Sequence, residues 1–256
     1  MQVQIHTRKA FSLVVGIFFL FLFWIIFLRD DDYLSYGLLA THMGGAAVVG
    51  VHRTNLLDAH AKGLTDEVAI SPRLSKVEFQ GKQELLTKAD LISNYLILDV
   101  LKRITGLKIY SEEKTDGLVG EKDAEPFRQD RARMAETFGP ILQWLPRRRF
   151  PLRDLQVWID PLDATQEYTE GLTQYVTVMA CVALEGKPIV GIIHRPFHNE
   201  TFVGVTGHGV SDALGRSITR PKSPEETIVV SRSHAGQVSE LAKKAFGSTF
   251  TIEAAG

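Results

Sequence analysis

Cysteine is almost absent from this sequence: Cys181 is the only one among 256 residues. A single cysteine excludes an intrachain disulfide framework and any zinc site built from several cysteines. An excess of charge is lacking too, because 29 Lys and Arg residues face 30 Asp and Glu residues, which gives a net charge of -1. The chain therefore has no overall basic field to attract a nucleic acid polymer. The remaining composition, 45% hydrophobic and 23% charged residues, is typical of a globular protein.

One segment near the N-terminus lacks charge altogether. Residues 10–28 contain no charged side chain and are rich in Phe, Leu, Ile and Val. As a helix this segment would extend about 28 Å, close to the ~30 Å hydrocarbon core of a bilayer. Arg8 and Lys9 precede it. The positive-inside rule then predicts a cytosolic tail over 1–9, with an acidic stem over 29–36 and the rest of the chain across the membrane.

A cleaved signal peptide is the alternative interpretation of this segment. Its cleavage site would be marked by small residues, whereas Trp24 and bulky Phe and Ile side chains fill the end of the segment. We therefore expect a single-pass, type II membrane protein. The glycosylation sequon Asn199-Glu200-Thr201 agrees with a lumenal domain.

The remainder, residues 37–256, has the pattern of one α+β domain in which helices come first and a mostly antiparallel sheet follows. Small and apolar residues over 37–51 predict a close-packed helix, and apolar residues at every fourth position predict another over 85–104. Residues 62–82 are polar and predict a loop or hairpin. Short apolar runs and hairpin signals predict strands. They lie at 107–110, 157–159, 176–184, 188–194, 201–206, 210–213 and 227–230, with further helices at 131–138 and 237–246.

The strongest chemical signal is the run Asp160-Pro161-Leu162-Asp163-Ala164-Thr165, which follows an apolar strand. Proline fixes its own φ and removes a donor, so we expect a sharp turn at the strand end. Such a turn can aim both carboxylates and the Leu162 carbonyl at one point, which is the rigid oxygen environment that Mg²⁺ prefers. An ordinary turn is the alternative, because Asp and Pro are common turn residues.

Two further carboxylate groups precede this motif. Glu112 and Glu113 follow the predicted strand 107–110, and adjacent carboxylates repel unless a cation or hydrogen-bond donors compensate. Either Glu112–Glu113 contributes a metal ligand or the pair is a solvated acidic loop. Asp90 lies at the start of a predicted helix, where it is either an N-cap or a carboxylate that polarises a hydroxyl or water.

In their order along the chain, these three groups resemble those of the inositol monophosphatase superfamily, the lithium-sensitive, magnesium-dependent phosphatases. The run from Trp158 to Glu170 is similar to the Golgi-resident nucleotidases of that superfamily, and the predicted anchor and the sequon fit the same branch. The resemblance covers about residues 37–256. It implies an α+β fold built as a layered α/β/α/β/α sandwich.

The resemblance also implies roles for individual residues. Two groups would serve the metal and the attacking water, and a third would contact a nucleotide. The metal group consists of Glu112, Asp160, Asp163 and the Leu162 carbonyl, which would hold Mg²⁺, with Glu113 supporting them. Thr165 and Asp90 would activate the attacking water. Ser231 and His234 would contact the nucleotide. For Ser231 and His234 the alternative is a polar loop whose hydroxyls satisfy nearby backbone groups.

The sequence departs from the superfamily pattern in one respect. That pattern continues to a Trp-Asp motif, which supplies another carboxylate, and no Trp-Asp dipeptide occurs here. We therefore expect the C-terminal layer of the sandwich to be incomplete. Two hypotheses follow. The first is a Golgi lumenal enzyme that removes the 3'-phosphate of adenosine 3',5'-bisphosphate, with an inositol phosphate as the alternative substrate. The second is an inactive membrane-tethered form that pairs with intact subunits, since members of the superfamily commonly form homodimers.

Overall fold

The computed structural model describes residues 32–54, 59–61, 85–114, 118–146, 150–219, 227–232, 237–247 and 250–255. The helices in these ranges are α1 Asp32–Thr54, α2 Lys88–Leu101, α3 Glu121–Ala124, α4 Arg131–Glu136, α5 Gly139–Trp144, α6 Thr165–Thr169 and α7 Val238–Phe246. The strands are β1 Ala59–Ala61, β2 Leu85–Thr87, β3 Lys108–Ser111, β4 Leu155–Asp163, β5 Thr177–Leu184, β6 Lys187–Arg195, β7 Glu200–Val205, β8 Gly209–Asp212, β9 Ser217–Ile218, β10 Thr227–Ser231 and β11 Thr251–Ala255.

Helices α1 and α2 pack against each other and cover one face of the main sheet. Small residues let them approach closely: a Cβ on Gly44 would lie 2.5 Å from Ser93 Oγ and 2.7 Å from Ile97 Cδ1. Helix α1 begins at Asp32, and Leu34 is only 8% exposed. The helix therefore begins inside the segment predicted as a stem over 29–36, and burial of Leu34 and Leu38 joins its first turns to the domain core.

Helix α1 is long and apolar enough over Leu34–Thr54 to cross a membrane, but 67% of its most apolar window is buried inside the domain. Burial of this extent is that of a core helix, whose apolar side chains already face protein. The anchor predicted over 10–28 and the loop predicted over 62–82 lie outside the described residues.

The main sheet has seven strands in the order β3-β4-β5-β6-β7-β8-β9. Strands β3 and β4 are parallel, and all the other neighbours are antiparallel. Residues on alternate positions of β4 face the helices: Leu155, Val157 and Ile159 are buried, whereas Trp158 is 51% exposed on the opposite face. Burial of every second residue is the pattern expected of a strand that turns one face toward the core. The core accordingly lies between the two long helices and this sheet.

Two local predictions need correction. Strand β4 does not end at Asp160 but continues to Asp163, and the register shifts by one residue between Asp160↔Met179 and Asp163↔Thr177. Pro161 therefore lies in a bulge, not a sharp turn, since a bulge tolerates a residue that cannot donate to the ladder. The helix predicted from residue 85 begins at Lys88, because Leu85–Thr87 pairs with β1 as a strand.

The C-terminal part of the described chain forms a separate small sheet. Strands β10 and β11 pair in parallel, with Thr227 opposite Thr251 and Ser231 opposite Ala255. Helix α7 connects them and packs against β10. Ser231 ends β10, and the residue after it, Arg232, contacts Glu167 on α6.

Candidate active site

The bulge in β4 lies between two carboxylates, those of Asp160 and Asp163, and the chain turns immediately after it. Leu162 N–H donates to Asp160 Oδ1 at 3.2 Å, which fixes the Asp160 side chain against its own bulge. Ala164 then adopts the left-handed conformation, with φ 64° and ψ 45°, and α6 begins at Thr165. This turn directs Thr165 back toward β4. Its Oγ1 lies 3.2 Å from the Leu162 carbonyl oxygen and 3.2 Å from Asp90 Oδ1.

Asp90 lies at the third position of α2 and is only 1% exposed. The N-cap of this helix is Thr87, not Asp90; Asp90 completes a capping box by accepting from Thr87 N–H at 2.7 Å and Thr87 Oγ1 at 2.5 Å. Burial raises the pKa of the Asp90 carboxyl to about 7, and the negative charge of Glu113 adds to that effect. The donors on Thr87 and Thr165 act in the opposite direction, because they stabilise the ionised form.

Glu112 and Glu113 follow β3, and the parallel pairing of β3 with β4 places them beside the motif. Glu112 N–H donates to the Ile159 carbonyl at 3.1 Å, one residue before Asp160. Glu112 is exposed, whereas Glu113 is 8% exposed. That Glu112 is a metal ligand and Glu113 supports it stays a prediction.

The carboxylates form one electrostatic group around Asp160. Burial, followed by the negative charges of Glu112 and Asp163 and a smaller effect of Asp90, raises the pKa of Asp160 to about 7. Within the described part of the chain, no three His, Cys, Asp or Glu side chains are grouped closely enough to hold a metal ion by themselves. The donor chemistry fits a hard cation, because carboxylates and the Leu162 carbonyl are oxygen ligands and positive charge would relieve their repulsion.

Of the two predicted nucleotide-binding residues, only Ser231 lies within the described part of the chain. Ser231 ends β10 and is exposed, and His234 lies outside the described residues. Between them, Arg232 donates from Nε to Glu167 Oε1 at 3.2 Å and also pairs with Glu170. Because Glu167 is 1% exposed and lies on α6, Arg232 connects the Ser231 segment to the helix that follows the metal motif.

Sequence reasoning missed three residues that organise this region: Arg232, Ser93 and Asn94. Arg232 lies between the predicted residues Ser231 and His234, but its partners are more than 60 positions away. Ser93 and Asn94 follow Asp90 by three and four positions, a spacing that places them on the same helix face. That spacing was the available signal.

The sequon residue Asn199 is exposed at the β6–β7 turn and has φ 52°. Thr201, by contrast, is 2% exposed, and its Oγ1 lies 2.8 Å from His42 Nε2 and 3.0 Å from His194 Nδ1. In the folded domain the Asn199 side chain is thus open to solvent, whereas the Thr201 hydroxyl is enclosed.

Solved structures define the class of fold. The chain is similar to the extragenic suppressor protein suhB of Bartonella henselae, with a TM-score of 0.56 and 17% identity over 88% of this chain and 70% of that one. It is also similar to CysQ of Bacteroides thetaiotaomicron, a bacterial member of the inositol monophosphatase family, with a TM-score of 0.54 and 18% identity over 90% of this chain and 74% of that one. The α+β fold expected from the sequence is thus confirmed as the inositol monophosphatase fold.

Sequence comparison gives the family. The sequence model of the Inositol monophosphatase family matches residues 49–251, and the chain belongs to this family. It is 36% identical over 226 residues to the Golgi-resident adenosine 3',5'-bisphosphate 3'-phosphatase of Rattus norvegicus. It is 34% identical over 229 residues to Inositol monophosphatase 3 of Xenopus tropicalis. Both alignments cover 88% of this chain and 57% of the relative, so the chain spans little more than half the length of these proteins.

The pKa of Asp160 predicts a pH dependence for the metal-free protein. In the folded state the carboxyl holds its proton up to about pH 7, whereas in the unfolded chain it ionises near its ordinary value of 3.8. The folded state therefore binds more protons in this window, and the free energy of unfolding falls as pH rises from about 4 to about 7. In Asp160→Asn this decline should be smaller. Urea unfolding in EDTA across this range measures it, and equal slopes in both proteins would contradict the prediction.

Proposed function

We propose that the protein is a magnesium-dependent phosphomonoesterase that removes the 3'-phosphate of adenosine 3',5'-bisphosphate, giving AMP and phosphate. The observation that supports this proposal is that Asp160 feels the negative charges of Glu112 and Asp163 and, more weakly, that of Asp90, which is hydrogen-bonded to Thr165. Family membership supports the same reaction class.

A phosphate monoester is anionic, so its hydrolysis needs an activated nucleophile and compensation for the charge on the leaving oxygen. Bound magnesium would supply both by lowering the pKa of water and neutralising phosphoryl oxygens. Glu112, Asp160, Asp163 and the Leu162 carbonyl would hold it. Glu113, buried behind Glu112, would support these ligands without replacing them.

Thr165 and Asp90 would prepare the attacking water. A threonine hydroxyl is a weak base, so its role would be to orient the water and pass its proton toward Asp90, 3.2 Å away. Asp90 suits the role of acceptor, because burial raises its pKa to about 7 and a base with a pKa near the working pH is the more effective one.

Two relatives favour different substrates. One is named for adenosine 3',5'-bisphosphate and the other is named an inositol monophosphatase, at 36% and 34% identity. We favour the nucleotide, because Ser231 stands exposed at the end of β10 and Arg232 links its segment to the catalytic side of the molecule. Ser231 and His234 would contact the nucleotide. An inositol phosphate is the second candidate.

The proposed setting is the Golgi membrane, with the phosphatase domain in the lumen. It is supported by the uncharged run over 10–28, by the basic residues before it, and by relatives whose name is Golgi-resident. The exposed Asn199 would then carry a glycan.

Protease protection on microsomes tests this topology. An epitope placed before residue 10 should be digested from outside, whereas the domain after residue 28 should be protected. Asn199→Gln should abolish the mass shift that an endoglycosidase produces, because the sequence holds a single Asn-x-Ser/Thr sequon. A mature protein that has lost the N-terminal epitope would contradict the anchor and indicate a cleaved signal.

Phosphate release with Mg²⁺ tests the reaction. The protein should release phosphate from adenosine 3',5'-bisphosphate in preference to inositol phosphates, and lithium should inhibit it. Asp163→Asn should lower kcat/KM by at least about 100-fold, since a metal ligand is lost. Asp154→Asn is the matched control, because Asp154 immediately precedes β4 at the end of the strand remote from Asp163. If phosphate were released from inositol phosphates alone, the inositol phosphate would replace the nucleotide as the substrate. If no phosphate were released from either compound, the proposed function would be refuted.

Thr165→Val separates water activation from metal binding. The substitution removes the hydroxyl but keeps the side-chain shape, so kcat should fall about 100-fold or more. Thr165→Ser restores a hydroxyl and should keep most of the activity. Steady-state kinetics at saturating Mg²⁺ give the comparison; a valine variant as active as the serine variant would rule out the relay.

A further inference from the structure

One face of α2 carries three buried polar side chains. Asp90, Ser93 and Asn94 are 1%, 0% and 0% exposed. Their spacing of three and four residues puts them on the same side of the helix. Asp90 already belongs to the candidate active site, which leaves Ser93 and Asn94 to be accounted for.

Ser93 forms a hydrogen bond to the backbone of the motif at the end of β4. Its Oγ donates to the Pro161 carbonyl at 2.7 Å. Pro161 stands inside the bulge, between Asp160 and Leu162, where the register of β4 shifts against β5. Ser93 thus supplies an attachment at the point where regular strand pairing is interrupted. The absence of a side chain on Gly44 makes room for it, since a Cβ there would lie 2.5 Å from Ser93 Oγ.

Asn94 holds the other carboxylate-bearing segment. Its Nδ2 donates to the Glu113 carbonyl at 2.9 Å, and its Oδ1 accepts from Ser111 Oγ at 2.8 Å. The two contacts bracket Glu112 on both sides along the chain. One amide side chain therefore fixes the backbone from which the Glu112 carboxylate projects.

We propose that Ser93 and Asn94 are positioning residues, which set the spacing between the Glu112 and Asp160 carboxylates by fastening both segments to the helix that carries Asp90. The inference rests on the proposed function, because it assigns these residues to the magnesium site. The physical need is clear: like charges brought together repel, so their backbone must be held by contacts that the carboxylates themselves do not make. Buried, fully satisfied hydrogen bonds are directional enough to do so.

Three variants test the proposal. Ser93→Ala removes the contact with Pro161, and Asn94→Ala removes those with Glu113 and Ser111. Ser211→Ala is the matched control: Ser211 is also a 0% exposed serine that donates to backbone carbonyls, those of Asp212 and Arg216, but it lies at β8, toward the far edge of the sheet.

Two measurements are made on each protein. Calorimetric titration with Mg²⁺ alone needs no turnover, and the dissociation constant should rise about tenfold or more in Ser93→Ala and Asn94→Ala but not in Ser211→Ala. Amide hydrogen exchange should increase in residues 159–165 for Ser93→Ala and in residues 110–114 for Asn94→Ala. A loss of general stability would instead speed exchange throughout the domain.

The outcomes are distinguishable. Unchanged Mg²⁺ affinity in both variants, relative to Ser211→Ala, would overturn the proposal. If the wild-type protein binds no Mg²⁺, the proposed function falls, and exchange alone decides: segment-specific loosening would sustain the positioning role and uniform loosening would overturn it. Should Asn94→Ala fail to fold, Ser93→Ala, which deletes a single hydroxyl, carries the decision.

Discussion

Mutual repulsion among neighbouring carboxylates is the constraint on which the rest of this structure depends. Asp160 lies in the field of Glu112, Asp163 and Asp90, and burial strengthens that field by excluding water. No local segment could bring these groups together, because Glu112 and Asp160 come from neighbouring strands and Asp90 from a helix. The parallel pairing of β3 with β4 and the packing of α2 against β4 are what keep them close. Part of the free energy gained by packing the core therefore offsets the repulsion between these carboxylates.

The helix layer does more than cover the sheet. Helix α1 approaches α2 closely because Gly44 leaves space for Ser93, and α2 in turn contacts both carboxylate-bearing segments through Ser93 and Asn94. A close-packed interior transmits a displacement of one element to its neighbours. The packing of α1 against α2 is therefore linked, through these small and polar side chains, to the position of the carboxylates at the strand ends. On the other side, Arg232 extends the link from α6 to the small sheet.

Much of the fold could be predicted from the sequence, because apolar periodicity is a local signal. The strands at 176–184 and 188–194 and their hairpin agree with β5 and β6, and the helix at 237–246 agrees with α7. Carboxylate spacing also pointed to Asp90, Glu112, Asp160 and Asp163, whose roles stay a prediction. The bulge at Pro161 was missed, since a strand with a register shift and a strand that ends look alike in sequence. Ser93, Asn94 and Arg232 were missed because their partners lie 17 to 68 positions away along the chain.

Asp90 and Asp160 share a pKa near 7 and its largest cause, which is burial, but the groups around them differ. Burial is the main cause for both, but for Asp160 it is followed by repulsion from Glu112 and Asp163, whereas for Asp90 it is followed by opposing donors on Thr87. Positive charge placed among the carboxylates would lower the pKa of both, and most for the carboxylate nearest to it. With Asp160 as the proposed ligand, its pKa would fall further than that of Asp90, which accepts from the Thr87 cap and from the Thr165 hydroxyl. Two aspartates with the same value in the metal-free protein would thus diverge once the site is filled, which is how one cluster of carboxylates can supply both a metal ligand and a base.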